Sequence, residues 1–232
     1  MLRCVDALRQ GGLARSLEAV GLIDRDFHRD EYLSSLPEGV RAAPVHEIES
    51  FFALPAVVEA VAQHLAKPFD LTSYTTKLRS AISDVQRHGL VIQRWKAAVE
   101  PHLTGLVSST SKRDGSLSEL VADIPAIFDM NNWGFSPQDL LALEQKRVEE
   151  GLNSADALAL LALAPGKSLL PIAARFVGME VLTYTNLIIE TLRRPAQEES
   201  LLRDALVLAL QPHLPQRSVP AAGASGLLPF TP

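Results

Sequence analysis

The amino-acid sequence predicts a mostly helical α/β protein, with a small parallel sheet unit near the N-terminus followed by a helical domain. Three observations lead there. Two short apolar runs, residues 19–23 and 40–45, flank a helical segment, which is the order of a parallel strand pair. Beyond Glu49 the apolar residues recur at three- and four-residue spacing almost throughout. The chain has 232 residues, 47% of them hydrophobic, enough to fill a real core without staples.

The elements follow in order. Leu2, Val5 and Leu8 recur at helical spacing, and Gly11-Gly12 is a natural C-terminal stop. Residues 19–23 read as a buried strand that delivers Asp24-Arg25-Asp26 at its carboxyl end, where open α/β sheets place their ligands. Residues 29–36 give one or two helical turns, and residues 40–45, split by Pro44, give the second strand. Val57, Val58, Val61 and Leu65 then share one helical face, and Leu78, Ile82 and Val85 continue the period. The polar stretch 102–116, with Ser108-Ser109-Thr110-Ser111-Lys112-Arg113-Asp114-Gly115, predicts a loop and an internal boundary.

After that boundary, Ser136-Pro137 opens a helix, since Ser is a good N-cap and Pro fits the first helical position. Further helices are expected over 154–163, 167–177, 181–192 and 197–210. Past Pro212 the composition turns to Pro, Ala, Gly and Ser, which predicts a disordered tail. The division is therefore 1–54 for the α/β unit, 55–211 for the helical domain and 212–232 for the tail. No internal repeat of fixed period is present.

Composition narrows the function. The single cysteine, Cys4, forbids an internal disulfide and any zinc site built on paired cysteines. The longest apolar stretch, residues 157–165, is far short of the roughly 18–20 residues that span a bilayer, and Asp6 stands where a secretory signal carries its apolar run. A cytoplasmic protein without a membrane partner is expected. The net charge of −5 gives no basic footprint of the stand-alone nucleic-acid binder. A nuclease is still compatible, because a metal ion supplies positive charge at the site itself.

The chemistry-bearing residues concentrate early. In an extended segment residues i and i+2 point the same way, so Asp24 and Asp26 present two carboxylates to one side. That is a hard oxygen site of the kind Mg²⁺ or Mn²⁺ takes together with waters and substrate phosphates. The alternative is a pair of solvated loop aspartates. Glu47 and Glu49 follow the second strand and reach the same sheet edge, making a four-acid cluster for a metal. His46 is a candidate ligand or base, although a lone histidine beside two acids is more often a surface group with an ordinary ion pair. Ser50 stands where a zinc-protease motif starting at His46 would need its second histidine.

Pro165-Gly166-Lys167-Ser168 is not a Walker loop, since Leu161 occupies the position of its first glycine. What remains is Lys167 at a helix start, where free N–H groups and the macrodipole favour an anion; a Pro-Gly turn followed by an exposed lysine is the plainer reading. Trp95 and Trp133 have polar neighbours suited to stacking on bases, but core packing is the commoner use. Arg193-Arg194 and Lys112-Arg113 are basic pairs too small to make a groove.

Taken together, Gly-Leu-Ile-Asp24-Arg-Asp26-Phe, His-Glu47-Ile-Glu49-Ser-Phe-Phe and the later Pro-Gly-Lys167 resemble the Toprim-like nuclease domain of the OLD (overcoming lysogenization defect) family. The likeness is to the bacterial branch in which this domain follows an ABC-type or AAA ATPase, and it covers roughly residues 14–210. The resemblance implies a partial Toprim-like sheet and a Mg²⁺- or Mn²⁺-dependent phosphodiesterase acting on DNA. Asp24, Asp26, Glu47 and Glu49 would supply metal ligands, Glu47 would serve catalysis, and Lys167 would contact the phosphate. It further implies an ATPase partner, with a homo-oligomer compatible. The glutamate-bearing first Toprim strand has no counterpart here, so the chain is expected to be the later part of a longer protein or a relative started at an internal methionine. A non-catalytic regulatory module bound to an ATPase, with a vestigial acidic site, is the alternative.

Overall fold

The computed structural model describes residues 21–28, 30–37, 40–82, 84–111, 134–195 and 200–214. The expectations for residues 1–20, including Cys4 and Asp6, for Lys112-Arg113, for Trp133 and for the tail beyond Leu214 lie outside them.

The fold is mostly helical with a small parallel sheet, as the apolar spacing predicts. Gly21–Ile23 forms β1 and Val40–Ala42 forms β2, with Gly21 opposite Val40, Leu22 opposite Arg41 and Ile23 opposite Ala42. A parallel pair needs a crossover rather than a tight turn, and the crossover carries the short helix α1, Asp30–Ser34. β2 stops before Pro44, which has no N–H to give a ladder. Pairing nevertheless continues past both strand ends: Ala43 N–H donates to Ile23 O and Asp26 N–H to His46 O, each at 2.8 Å. The residues that follow the two strands are thereby held side by side.

A 3₁₀ turn, Ile48–Ala53, leads into α2, Pro55–His64, with its proline in the first turn. Val57, Val58 and Val61 on the inner face of α2 are fully buried. α3, Leu71–Ala81, starts at Asp70, whose carboxylate accepts from Ser73 N–H at 2.7 Å. α4 runs from Asp84 to Ser111. It overturns the loop expected over 102–116 as far as residue 111. Once nucleated, a helix extends at little cost per residue, and the Leu103, Leu106, Val107 spacing continues its period. The serines and threonine that suggested a loop are only mildly poor helix formers.

α5, Pro137–Asn153, begins as expected, with Ser136 Oγ accepting from Asp139 N–H at 3.2 Å. α6, Ala157–Leu163, starts later than expected because Asp156 supplies the cap, its carboxylate accepting from Leu158 N–H at 2.9 Å. α7, Gly166–Phe176, α8, Val181–Arg193, and α9, Leu201–Leu210, complete the helices, and a last 3₁₀ turn spans Gln211–His213. Among the described residues no single helix is long and apolar enough to cross a membrane.

One continuous apolar cluster joins the strand unit to the helices, from Ala43, Val45 and Phe51 through Leu78, Leu160 and Leu169 to Ile188 and Leu206. Two buried tyrosines fix the 3₁₀ turn within it. Tyr74 OH donates to Ala53 O and Tyr184 OH to Phe52 O, both at 2.6 Å. Burial raises both phenols above their ordinary value, so each stays a neutral donor. α4 and α5 are joined by a buried carboxylate: Glu144 accepts from Arg94 Nε at 2.9 Å and from Arg147 at 3.0 Å.

Candidate metal centre

The carboxyl ends of β1 and β2 bring Asp24, Asp26, His46 and Glu47 to one edge. His46 is fixed by its backbone: its N–H donates to Leu161 O in α6 at 2.8 Å, and its carbonyl accepts from Asp26 N–H. The ring, 1% exposed, is enclosed and meets Phe27 edge-on at a centroid distance of 4.5 Å. Asp26 takes a left-handed backbone with φ +42°. Aspartate tolerates that conformation better than most residues, and the exposed carboxylate faces the histidine side of the turn.

Donor atoms of Asp26, His46 and Glu47 lie within 4.8 Å of one another. His46 Nδ1 stands 3.9 Å from Glu47 Oε1, too far for a hydrogen bond. Both ring nitrogens of His46 and Oε2 of Glu47 are buried without a hydrogen-bond partner among the described residues. Buried polar atoms are ordinarily paired, and a carboxylate with an oxygen left dry beside an unpaired imidazole is costly. Burial pushes the His46 pKa below its usual 6.5; the carboxylates of Asp26 and Asp24 oppose that, and Arg94 adds to it. The imidazole is therefore neutral at pH 7, the form that offers a lone pair to a cation.

The residues fit a divalent ion. Two ligands about 2.1 Å from one ion cannot be more than about 4.2 Å apart, so closure needs only a small swing of the exposed Asp26 side chain. An imidazole with two carboxylates mixes the donor preferred by first-row transition metals with those preferred by Mg²⁺ and Mn²⁺.

The four-acid cluster expected from sequence is gathered only in part. Asp26 and Glu47 converge. The carboxylate of Asp24 accepts from Ile48 N–H at 2.8 Å, holding the start of the 3₁₀ turn, and Glu49 is exposed outside the group. His46, expected to be more often a surface group, is instead the most enclosed member. Its burial depends on Leu161, remote in sequence, and the local signal is only that it follows the buried Val45. Lys167 is exposed in the first turn of α7, with no hydrogen bond or ion pair among the described residues. Gly166 before it packs on the 3₁₀ turn so closely that a Cβ there would lie 2.5 Å from Ser50 Oγ and 2.8 Å from Ser50 N. The start of α7 is thus locked against the segment that follows Glu47. Trp95 is used structurally, its indole N–H donating to Pro137 O at 2.9 Å.

Comparison with protein-family models, curated proteins and solved structures gave no match to this chain.

Proposed function

We propose that this protein is a divalent-cation-dependent phosphodiesterase module acting on DNA, Toprim-like in kind and completed by an ATPase partner. The observation that carries the metal half is the enclosed, unpaired His46 between the carboxylates of Asp26 and Glu47. The phosphodiester half rests on the resemblance of the segments around Asp24-Arg25-Asp26, Glu47-Ile48-Glu49 and Lys167 to the OLD-family domain. The mixed donor set favours Mn²⁺ over Mg²⁺.

In this reading each residue has a distinct task. Asp26, His46 and Glu47 hold the cation, and Asp24 sets the 3₁₀ turn that presents Glu47. A cation held there would supply Lewis-acid chemistry, polarising a phosphoryl oxygen and making water a better nucleophile. Glu47 Oε2, without a hydrogen-bond partner among the described residues, would accept the proton of the attacking water. Lys167 contacts the phosphate oxygens from the helix start.

Nicking of supercoiled plasmid in Mn²⁺ tests this. Wild-type protein should cut, and Asp26→Asn, which keeps the side-chain shape and tolerance of the left-handed backbone, should lose the cutting. Wild-type protein that does not cut alone or with its ATPase partner would overturn the phosphodiesterase reading. One observation favours a second reading, a regulatory module with a structural ion: Asp24 is committed to a backbone N–H rather than to the ligand group. Metal binding without cleavage would select it.

A further inference from the structure

We propose that the cavity beside the metal centre is a subsite for one unstacked nucleobase, so that the DNA acted on is single-stranded or splayed rather than intact duplex. The inference rests on the phosphodiesterase reading and adds the form of the substrate.

The cavity has a volume of about 190 Å³ and shares a wall with the metal centre, because the half-buried Phe27 that meets His46 edge-on also lines it. The remaining floor is apolar, with Leu90 and Ile82 on one side and Pro165 on the other. Gln86, Gly89 and Gln93 fall at positions i, i+3 and i+7 of α4, hence on one face, and Ser168 stands opposite at the start of α7. The rim therefore carries amides and a hydroxyl and no formal charge.

That chemistry selects a class of ligand. The volume lies below the roughly 300–1,000 Å³ of cavities that enclose drug-sized molecules, and it suits a ligand part the size of one ring system. An aromatic wall gives a face to stack on. The exposed Gln93 amide offers a donor and an acceptor to the edge of a base, adenine above all. The phosphate end has a counterpart as well: Lys167, exposed and without an ion pair among the described residues, lies in sequence between the lining residues Pro165 and Ser168. A base in the cavity would lie against Phe27, the residue that the cavity shares with His46. A base within an intact duplex cannot enter without leaving its stack.

Gly89 offers a clean probe, since a Cβ added there meets nothing within 4 Å. A larger side chain at that position fills the cavity without touching the metal ligands. The experiment titrates the full chain, with chelator present, into short single-stranded DNA carrying one 2-aminopurine, and reads its fluorescence. Wild-type protein should give a saturable change. Gly89→Leu should weaken it about tenfold or more, the scale of one lost base–aromatic stack, with a thermal melt no lower than that of wild type, since leucine is the better helix former. Gln93→Ala, at an exposed position that does not threaten folding, should weaken it severalfold. The same probe in a duplex should bind far more weakly. Absence of a saturable change in wild-type protein, equal binding by Gly89→Leu, or equal binding of the duplex would overturn the proposal. Because no metal is present, a failure of Mn²⁺-dependent cleavage with this titration intact would remove the phosphodiesterase reading alone.

Discussion

Two enclosed polar clusters lie within the same fold and are treated in opposite ways. Between α4 and α5, Glu144 is 1% exposed and both its oxygens are engaged by arginines, at 2.9 and 3.0 Å. At the strand ends, His46 is equally enclosed, yet among the described residues neither ring nitrogen has a hydrogen-bond partner and Glu47 Oε2 has none either. A buried charge with all its partners holds two helices in register. A buried donor set without partners is a place where the fold has kept ligand atoms dry for something else. The contrast separates an ion pair that serves structure from a neutral imidazole and two carboxylates that could hold a metal ion.

The largest expected effect breaks the satisfied cluster. Glu144→Ala should destabilise the protein by about 2–3 kcal/mol, below the usual 3–5 for a broken buried pair, because the side chains of Arg94 and Arg147 retain 14% and 27% exposure and can reach water. Urea denaturation measures it, and Mn²⁺ affinity should stay as in wild type. A next perturbation sits on the turn beside the unsatisfied cluster. Gly166→Ala forces a methyl onto the Ser50 backbone and should cost about 1–3 kcal/mol, the range of overpacking, while also weakening the metal site by shifting the turn after Glu47. Tyr184→Phe leaves the Phe52 carbonyl without its donor and should cost about 1–2 kcal/mol, with a smaller effect on metal affinity than Gly166→Ala.

The smallest effect is one of pH and sharpens the comparison without a large substitution. With a chelator present, the folded protein resists protonating His46, whereas the unfolded chain takes up the proton near the ordinary value of 6.5. Below that pH the unfolded state binds more protons, so stability is complete above about 6.5 and declines as pH falls toward the lowered folded value. The slope from this one group is at most about 1.4 kcal/mol per pH unit. His46→Asn should flatten it in a series of denaturation curves from pH 7 to 5, and an unchanged slope would assign the acid sensitivity elsewhere.

Much of the architecture is legible in local sequence because it depends on local physics. Residues 19–23 and 40–45 announce the strand pair by apolar runs ending in polar residues, and Ser136-Pro137 announces α5 by cap chemistry. Residues 102–111 misled because serine and threonine composition says little about a helix already propagating from Asp84. At the site, Asp26 and Glu47 are visible as carboxylates at strand ends. The role of Asp24 is not, since it is decided by a hydrogen bond to Ile48 N–H. Nor is the enclosure of His46, which arises from contacts with Leu161 and Phe27 that no local spacing encodes. Nor does local sequence mark Gln86, Gly89 and Gln93 as the rim of a cavity, since Pro165 and Ser168, which line it too, are remote in sequence.

The most direct test of the account is a calorimetric titration of Mn²⁺ into chelator-treated protein. Wild type should bind one equivalent, with affinity reduced at least about tenfold in both His46→Ala and Asp26→Asn, no less than the loss seen when a ligand's supporting residue is removed. Absence of saturable binding, or binding by His46→Ala as tight as by wild type, would contradict the claim that the unpaired histidine marks a metal centre.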